Sequence, residues 1–243
     1  MIAIIMVDYA ECSRKMVEIL GLKHEPVAIT LIKKGQPIPE GYPQPEKPIR
    51  HCQSVMRARK GECLLLPASK HACPVGASAL GLLPIPEKVE SGKFHYGLGM
   101  YQSEEAAKHT MDVRPHLEPE SLAATLVCPL SKAKVAPDVI VVTGTPEQIY
   151  WLLPAAATYE KGGRITIETA SFQASCVDST IMPYLTGLPN VSFGCYGCRK
   201  TTDIAPEEML VGFPAGNLGR LVEILEKLKE RPIPACREKT LAT

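Results

Sequence analysis

GECLLLPASKHACPVGASALGLLP (61–84) and GRITIETASFQASCVDSTIMPYLTGLP (163–189) decide how this chain is read. Each runs as strand, short polar turn, cysteine, helix and a Leu-Leu-Pro or Gly-Leu-Pro exit. Cys73 follows Gly61 by twelve residues and Cys176 follows Gly163 by thirteen. Upstream, EPVAITLIKK (25–34) is similar to PDVIVVTGTP (137–146), and downstream FHYGLGMYQSEEA (94–106) echoes VSFGCYGCRKTTD (191–203). The pattern predicts an internal duplication: two similar α/β halves forming one compact unit around a pseudo-twofold axis. The N-terminal half covers 1–111 and the C-terminal half 120–243, joined across the Pro115 and Pro119 breaks. One undivided domain is the alternative. Two such halves would bring Cys73 and Cys176 towards a shared centre.

The remaining elements follow from periodicity and chain breakers. Strands are expected over 27–32, 62–67, 122–127, 139–143, 165–168 and 191–193. Helices are expected over 8–21, 51–60, 104–111, 177–185 and 218–229, and from Pro74 onwards, where a proline suits the first turn. A helix over 146–159 should kink at Pro154, which cannot supply an N–H to the helical ladder. Segments 35–50 and 84–94 read as loops. Strands alternating with helices point to α/β architecture.

Composition removes several function classes. The 243 residues can build one large domain or two small ones. A net charge of +1 offers no field for nucleic acid or an anionic membrane, and 5% aromatic residues offer little surface for stacking bases. No apolar run is long enough to span a bilayer. The opening MIAIIMVDYAECSRK lacks the basic start of a signal peptide, so a cytoplasmic protein is expected.

Nine cysteines are then the outlying feature. In a reducing compartment they point to thiols and metal ligation rather than disulfides. Cys195-Tyr196-Gly197-Cys198 can hold one ion, or two irons of one cluster, from a single turn, with Gly194 and Gly197 letting backbone N–H groups point at sulfur. A redox dithiol or plain core thiols are the other readings, although Arg199, Lys200, Thr201 and Thr202 make a poor helix opening for a dithiol. Cys73 precedes Pro74, a pairing found at iron–sulfur ligands, and a helix start there favours the thiolate. Cys176 is expected at an equivalent helix start, and Cys52 at another. His51 and His71 lie close to these cysteines and could ligate metal or donate hydrogen bonds to cluster sulfur. Cys12, Cys63, Cys128 and Cys236 read as structural. Gly97 and Gly99 lack the third glycine of a dinucleotide site. No catalytic acid or base stands out.

PVAITL (26–31), RHCQSVMRARKGE (50–62), HACPVGASALGL (71–82), PLSKAKVAPDVIVVTGTPEQ (129–148), YEKGGRITIETASFQASC (159–176) and FGCYGCRKTTD (193–203) carry a resemblance to an uncharacterised prokaryotic family, domain of unknown function 169. It covers residues 20–228. The resemblance implies that Cys52, Cys73, Cys176 and Cys195 occupy the family's cysteine positions, with Cys198 less typical. It also implies methanogens and other anaerobes as hosts, a setting compatible with an oxygen-sensitive centre.

The expected function is an iron–sulfur protein with a [4Fe–4S] cluster held by Cys52, Cys73, Cys176 and Cys195 between the halves, with Cys198 as substitute ligand or neighbouring thiol. Electron transfer to a redox partner or redox chemistry on a small molecule would follow. A structural zinc site with the same ligands is the alternative. A third reading is a metal-free binder of a small ligand or a partner, with loops 35–50, 84–99 and 211–219 lining a cleft. No nucleic-acid or membrane partner is expected, and a homo-oligomer is compatible with all three.

Overall fold

The computed structural model describes residues 7–172 and 174–238. Its described elements are α1 (Tyr9–Leu20), β1 (Val27–Lys33), α2 (His51–Ala58), β2 (Leu64–Pro67), α3 (Pro74–Ala79), the short α4 (Glu87–Glu90) and α5 (Lys93–Tyr96), α6 (Glu104–Asp112), β3 (Leu122–Pro129), β4 (Val139–Gly144), α7 (Pro146–Leu153), α8 (Met182–Thr186), β5 (Asn190–Ser192), α9 (Tyr196–Thr201), β6 (Met209–Pro214), α10 (Leu218–Glu230) and α11 (Pro232–Arg237). After Pro154 the chain winds in wider π-helical turns over Pro154–Thr158, the disturbance expected of a mid-helix proline. A second π-helical stretch, Ala174–Ile181, runs directly into α8.

All six strands form one sheet in the order β2-β3-β1-β4-β6-β5. Every neighbouring pair is antiparallel, so the strand–helix alternation in the sequence does not produce a parallel sheet. The fold is mixed α and β on one antiparallel sheet. Strand residues alternate between two cores. Ala28, Ile140, Val142, Val211 and Phe213 face α1, α7 and α10, while Val27, Ile29, Leu31, Val139, Val141 and Leu210 face α2, α3 and the 174–186 helix. Gly212 lies close under that helix. A Cβ on it would stand 2.0 Å from the Ser179 carbonyl oxygen, so only glycine lets the two backbones approach.

The register has a regularity. Val27 faces Pro129 in the β1·β3 pair, and Val139 faces Pro214 in the β4·β6 pair. The Leu130 N–H donates to the Pro26 carbonyl at 2.8 Å, and the Ala215 N–H donates to the Asp138 carbonyl at 2.9 Å. Leu65 faces Leu126 on one side and Val191 faces Val211 on the other. Where β1 meets β4, Val27 faces Val141, Ala28 faces Ile140 and Ile29 faces Val139.

Several sequence expectations change. Residues 165–168 form no strand; 164–172 run without regular structure, held by Glu168 N–H donating to Asn190 Oδ1 and Thr169 donating to Asp178. Cys176 therefore lies inside a π-helical stretch rather than at a helix start after a strand. The 84–94 loop contains α4 and the start of α5. Cys195-x2-Cys198 does open a helix, because Cys195 itself caps α9.

One buried ion pair ties the sheet to α2. Arg59 Nη1 lies 3.0 Å from Glu208 and also donates to Thr143 Oγ1 at 3.0 Å. Its Nη2 donates to the Asp203 carbonyl at 3.3 Å. Among the described residues no helix is long and apolar enough to cross a membrane.

Candidate metal centre

The layer that carries α2, α3, the 174–181 turns and α9 holds a partly open cavity of about 240 Å³. Cys52, Cys73, Cys176, Cys195 and Cys198 all line it, together with His51 and Gly197. First turns, helix caps and π-helical turns bring them there. Cys52 sits in the first turn of α2, whose start is closed by Gln53 Oε1 accepting the Arg50 N–H at 2.9 Å. Cys73 caps α3, its sulfur accepting the Gly76 N–H at 3.5 Å. Cys195 caps α9 in the same manner, accepting the Cys198 N–H at 3.3 Å. The Ala174 backbone also stabilises the charged form of the Cys195 thiol. Cys176 is carried on the π-helical turns, with its sulfur against α3. A Cβ at Gly76 would be 3.6 Å from that sulfur and 3.8 Å from Cys73 Cβ, so the two cysteines flank one glycine.

The sulfurs are crowded. Cys195 and Cys198 stand 3.3 Å apart. Ser175 Oγ lies 3.5 Å from Cys198 Sγ. Burial pushes the Cys176 thiol far up, and the negative forms of Cys73, Cys195 and Cys198 add to the effect. The hydrogen bond to Cys198 pushes Cys195 up, with burial second. Cys198 reaches about 11: the contact with Cys195 pulls it down, and the contact with Cys52 and burial outweigh that pull. All three are therefore neutral thiols at pH 7 in a metal-free site. Ionising them together needs a cation to absorb the charge. Among the described residues, no three His, Cys, Asp or Glu side chains are already drawn in around a single ion position.

The histidines divide. His51 is 2% exposed, and its Nε2 lies 3.2 Å from Thr180 Oγ1 while its Nδ1 has no hydrogen-bond partner. Burial and the nearby His71 pull its pKa down to about 3. His71 stacks on His51 with ring centroids 6.5 Å apart, but it does not line the cavity. Gly194 is not in the wall either; its N–H donates to Ser192 Oγ, not to sulfur. The N–H groups on sulfur come from Gly76 and Cys198 instead. At Gly197 a Cβ would stand 2.9 Å from Arg50 Nη1, the mobile end of a side chain that can give way.

Sequence reasoning missed His95. It is fully buried, lines the cavity, and neither ring nitrogen has a hydrogen-bond partner among the described residues. Phe172 and Phe94 meet its ring edge-on at 4.2 and 5.1 Å. Burial, then the Arg114 charge, lowers its pKa to about 4. The only sequence signal was a polar residue inside FHYGLGM. Arg114 is itself buried and donates to Ser78 Oγ at 3.0 Å; burial lowers it, while Cys176 and Glu90 favour its charge. The four cysteines set aside stay apart from this cavity. Cys12 lies in the α1 core face and Cys236 is exposed, while Cys128 and Cys63 pack together near Tyr42 at the β2·β3 edge.

Comparison with known proteins agrees on family and adds no activity. An uncharacterized protein of Methanocaldococcus jannaschii is 37% identical over 226 residues, covering 92% of this chain and 96% of the relative. No solved structure matches. The model of an uncharacterised ArCR family matches residues 15–224, and the chain belongs to that family, domain of unknown function 169.

Proposed function

We propose that this chain is a cytoplasmic iron–sulfur protein, with the cluster seated in the cysteine-lined cavity and held by Cys52, Cys73, Cys176 and Cys195. The observation that carries the reading is convergence: five cysteines, from positions as far apart as 52 and 198, line one cavity. Four thiolates complete a cubane. Burial disfavours free thiolates here, so a cationic soft metal is what would hold them ionised. N–H donation to Cys73 and Cys195 also suits sulfur that carries negative charge. The cluster would supply one-electron redox chemistry or an open iron site, while the chain fixes the sulfurs and limits access.

The duplication belongs to the same reading, with revised correspondences. The shared register supports equating β1 with β4, β3 with β6 and β2 with β5. Ala28 and Ile140 then mark the pseudo-twofold axis. On this view the halves divide between Pro129 and Val139, not at 112–120. Cys73 and Cys195, both helix caps three residues before the N–H they accept, become equivalents. Cys52 and Cys176, on the preceding helical segments, form the other pair. Cys198 takes the place of Gly76 and is the odd thiol. The four proposed ligands are therefore two symmetry pairs.

Two alternatives have an observation each. Thiolates on one zinc ion stand about 3.8 Å apart given a Zn–S bond of about 2.3 Å, and the Cys195–Cys198 separation of 3.3 Å is near that. The same contact, at a helix start after β5, is the arrangement of a redox dithiol, which would give two electrons and two protons to a partner disulfide on closing its own. The cavity volume of about 240 Å³ favours an occupant larger than a single ion. Anaerobic purification followed by iron, sulfide and zinc analysis decides among these. Iron and sulfide in equal amounts with absorption near about 400 nm support the cluster; zinc alone, or no metal, refutes it.

A further inference from the structure

The cavity has a second wall that the cysteines do not build. Phe94, His95 and Leu98 come from residues 80–121, the long connection between α3 and β3. The corresponding connection between α9 and β6 is only 202–208. Phe172 closes the same side. This wall is apolar except for His95, whose two buried ring nitrogens lack hydrogen-bond partners among the described residues. Leaving a buried donor unpaired costs roughly 1–3 kcal/mol, so a buried polar ring in a cavity wall offers an occupant a hydrogen bond that the chain leaves unused.

The charges select the occupant. Arg50 and Lys200 line the cavity, and no aspartate or glutamate does so among the described residues. Behind the wall, Arg114 is buried and its charge reaches His95. In the metal-free site, where Cys176, Cys195 and Cys198 are neutral thiols, a positive field without a carboxylate attracts an anion. The volume, about 240 Å³ for the whole cavity, lies below that of sites for drug-sized ligands and limits the anion to a few heavy atoms. The geometry points to a small-anion subsite on the His95 side of the cavity, taking a singly charged oxyanion of carboxylate type that accepts a hydrogen bond from the His95 ring N–H. Beside a cluster it would be the substrate position; in that role it rests on the cluster reading, although the His95 contact itself needs no metal.

The test uses the full chain, purified anaerobically and with its metal content measured. Formate and formamide are equal in size and differ in charge. Ligand-observed NMR titration should show saturable formate binding and at least about tenfold weaker binding of formamide, the discrimination expected for a charge-assisted hydrogen bond. His95→Phe should weaken formate about tenfold and formamide by clearly less, since only the formate bond is charge-assisted. His95→Asn, which retains a donor, should recover part of the loss. Lys200→Ala, on an exposed side chain, should weaken formate without affecting folding. Equal binding of the two probes, or wild-type formate affinity in both a folded His95 variant and Lys200→Ala, overturns the subsite. A sample without iron that still discriminates formate through His95 retains the subsite and removes the cluster.

Discussion

The Cys198 sulfur lies 3.3 Å from the Cys195 sulfur, yet only Cys195 caps a helix and has a matching cap in Cys73. Two thiolates on different irons of a cubane must stand further apart than this. On the proposed cluster reading one of the pair is therefore surplus to four ligands, and the proposed equivalence of Cys195 with Cys73 makes Cys198 that one. Cys198→Ser should retain most bound metal, and Cys195→Ser, Cys52→Ser, Cys73→Ser and Cys176→Ser should each lose most of it. Metal-to-protein ratios on anaerobic samples check this, with Cys12→Ser and Cys236→Ser as controls. Retention in Cys195→Ser and loss in Cys198→Ser would reverse the assignment.

Metal-free protein gives a second outcome for the same pair. Peroxide converts one thiol to a sulfenic acid with release of water, and the neighbouring thiol displaces a second water to close a disulfide. At 3.3 Å, Cys195 and Cys198 should close first. Peptide mapping of oxidised apoprotein should find this bridge before any joining Cys52, Cys73 or Cys176. A dominant bridge elsewhere would show that the sulfurs rearrange when metal is absent.

The antiparallel partners and the cavity followed different rules of legibility. Strand positions came from alternation, and five of the six expected strands formed, because β residues such as Val27, Ile29 and Leu31 face one core together. The strand expected at 165–168 failed because those residues find no strand partner, and their polar groups are satisfied by Asn190 and Asp178 instead. The candidate cysteines were legible from residue type and from proline or glycine neighbours. His95 was not, because its importance lies in what fails to touch it, and no spacing rule encodes an absent partner.

The Arg59–Glu208 pair should be a point of high sensitivity. Both side chains are nearly excluded from solvent, and Arg59 also serves Thr143 and the Asp203 carbonyl. Removing one partner leaves a buried charge, at a cost of about 3–5 kcal/mol. Arg59→Met or Glu208→Gln should lower the denaturation free energy by that order in urea titrations. Glu208 has its pKa lowered by the Ala205 N–H and Arg59 despite burial. Its contribution is thus present above the unfolded carboxylate pKa and is lost as pH falls through the lower folded value. Glu208→Gln should flatten stability in the acid range.

Asp178 has the opposite sign. Its carboxylate accepts from Thr169 at 2.8 Å and Ser192 at 3.1 Å, but burial still raises its pKa to about 7. The folded state therefore holds a proton that the unfolded state has released, so stability declines as pH rises from about 4 to about 7. Asp178→Asn removes that titration. The variant should gain on the wild type between pH 5 and pH 8, by an amount below the roughly 1.4 kcal/mol per unit set by linkage, because hydroxyls already support the anion. Parallel unfolding curves for both proteins at the two values would reveal no gain if Asp178 is ionised throughout.

Gly212 provides the sharpest test of the packing that carries Cys176. A Cβ there would stand 2.0 Å from the Ser179 carbonyl oxygen and 2.6 Å from its carbon. Neither atom belongs to a flexible side chain, so β6 and the π-helical turns must separate to admit a methyl group. Those turns carry Ser175, Cys176 and Thr180, and Thr180 meets His51 across the cavity wall. Gly212→Ala should therefore destabilise by more than the 1–3 kcal/mol typical of overpacking and reduce metal retention with it. Gly216→Ala, at a position where a Cβ meets nothing within 4 Å, should leave both unchanged. Thermal melts and metal ratios on the two variants form a matched pair. Equal behaviour would mean that the sheet and the cysteine-bearing turns are not in the close contact on which the site depends.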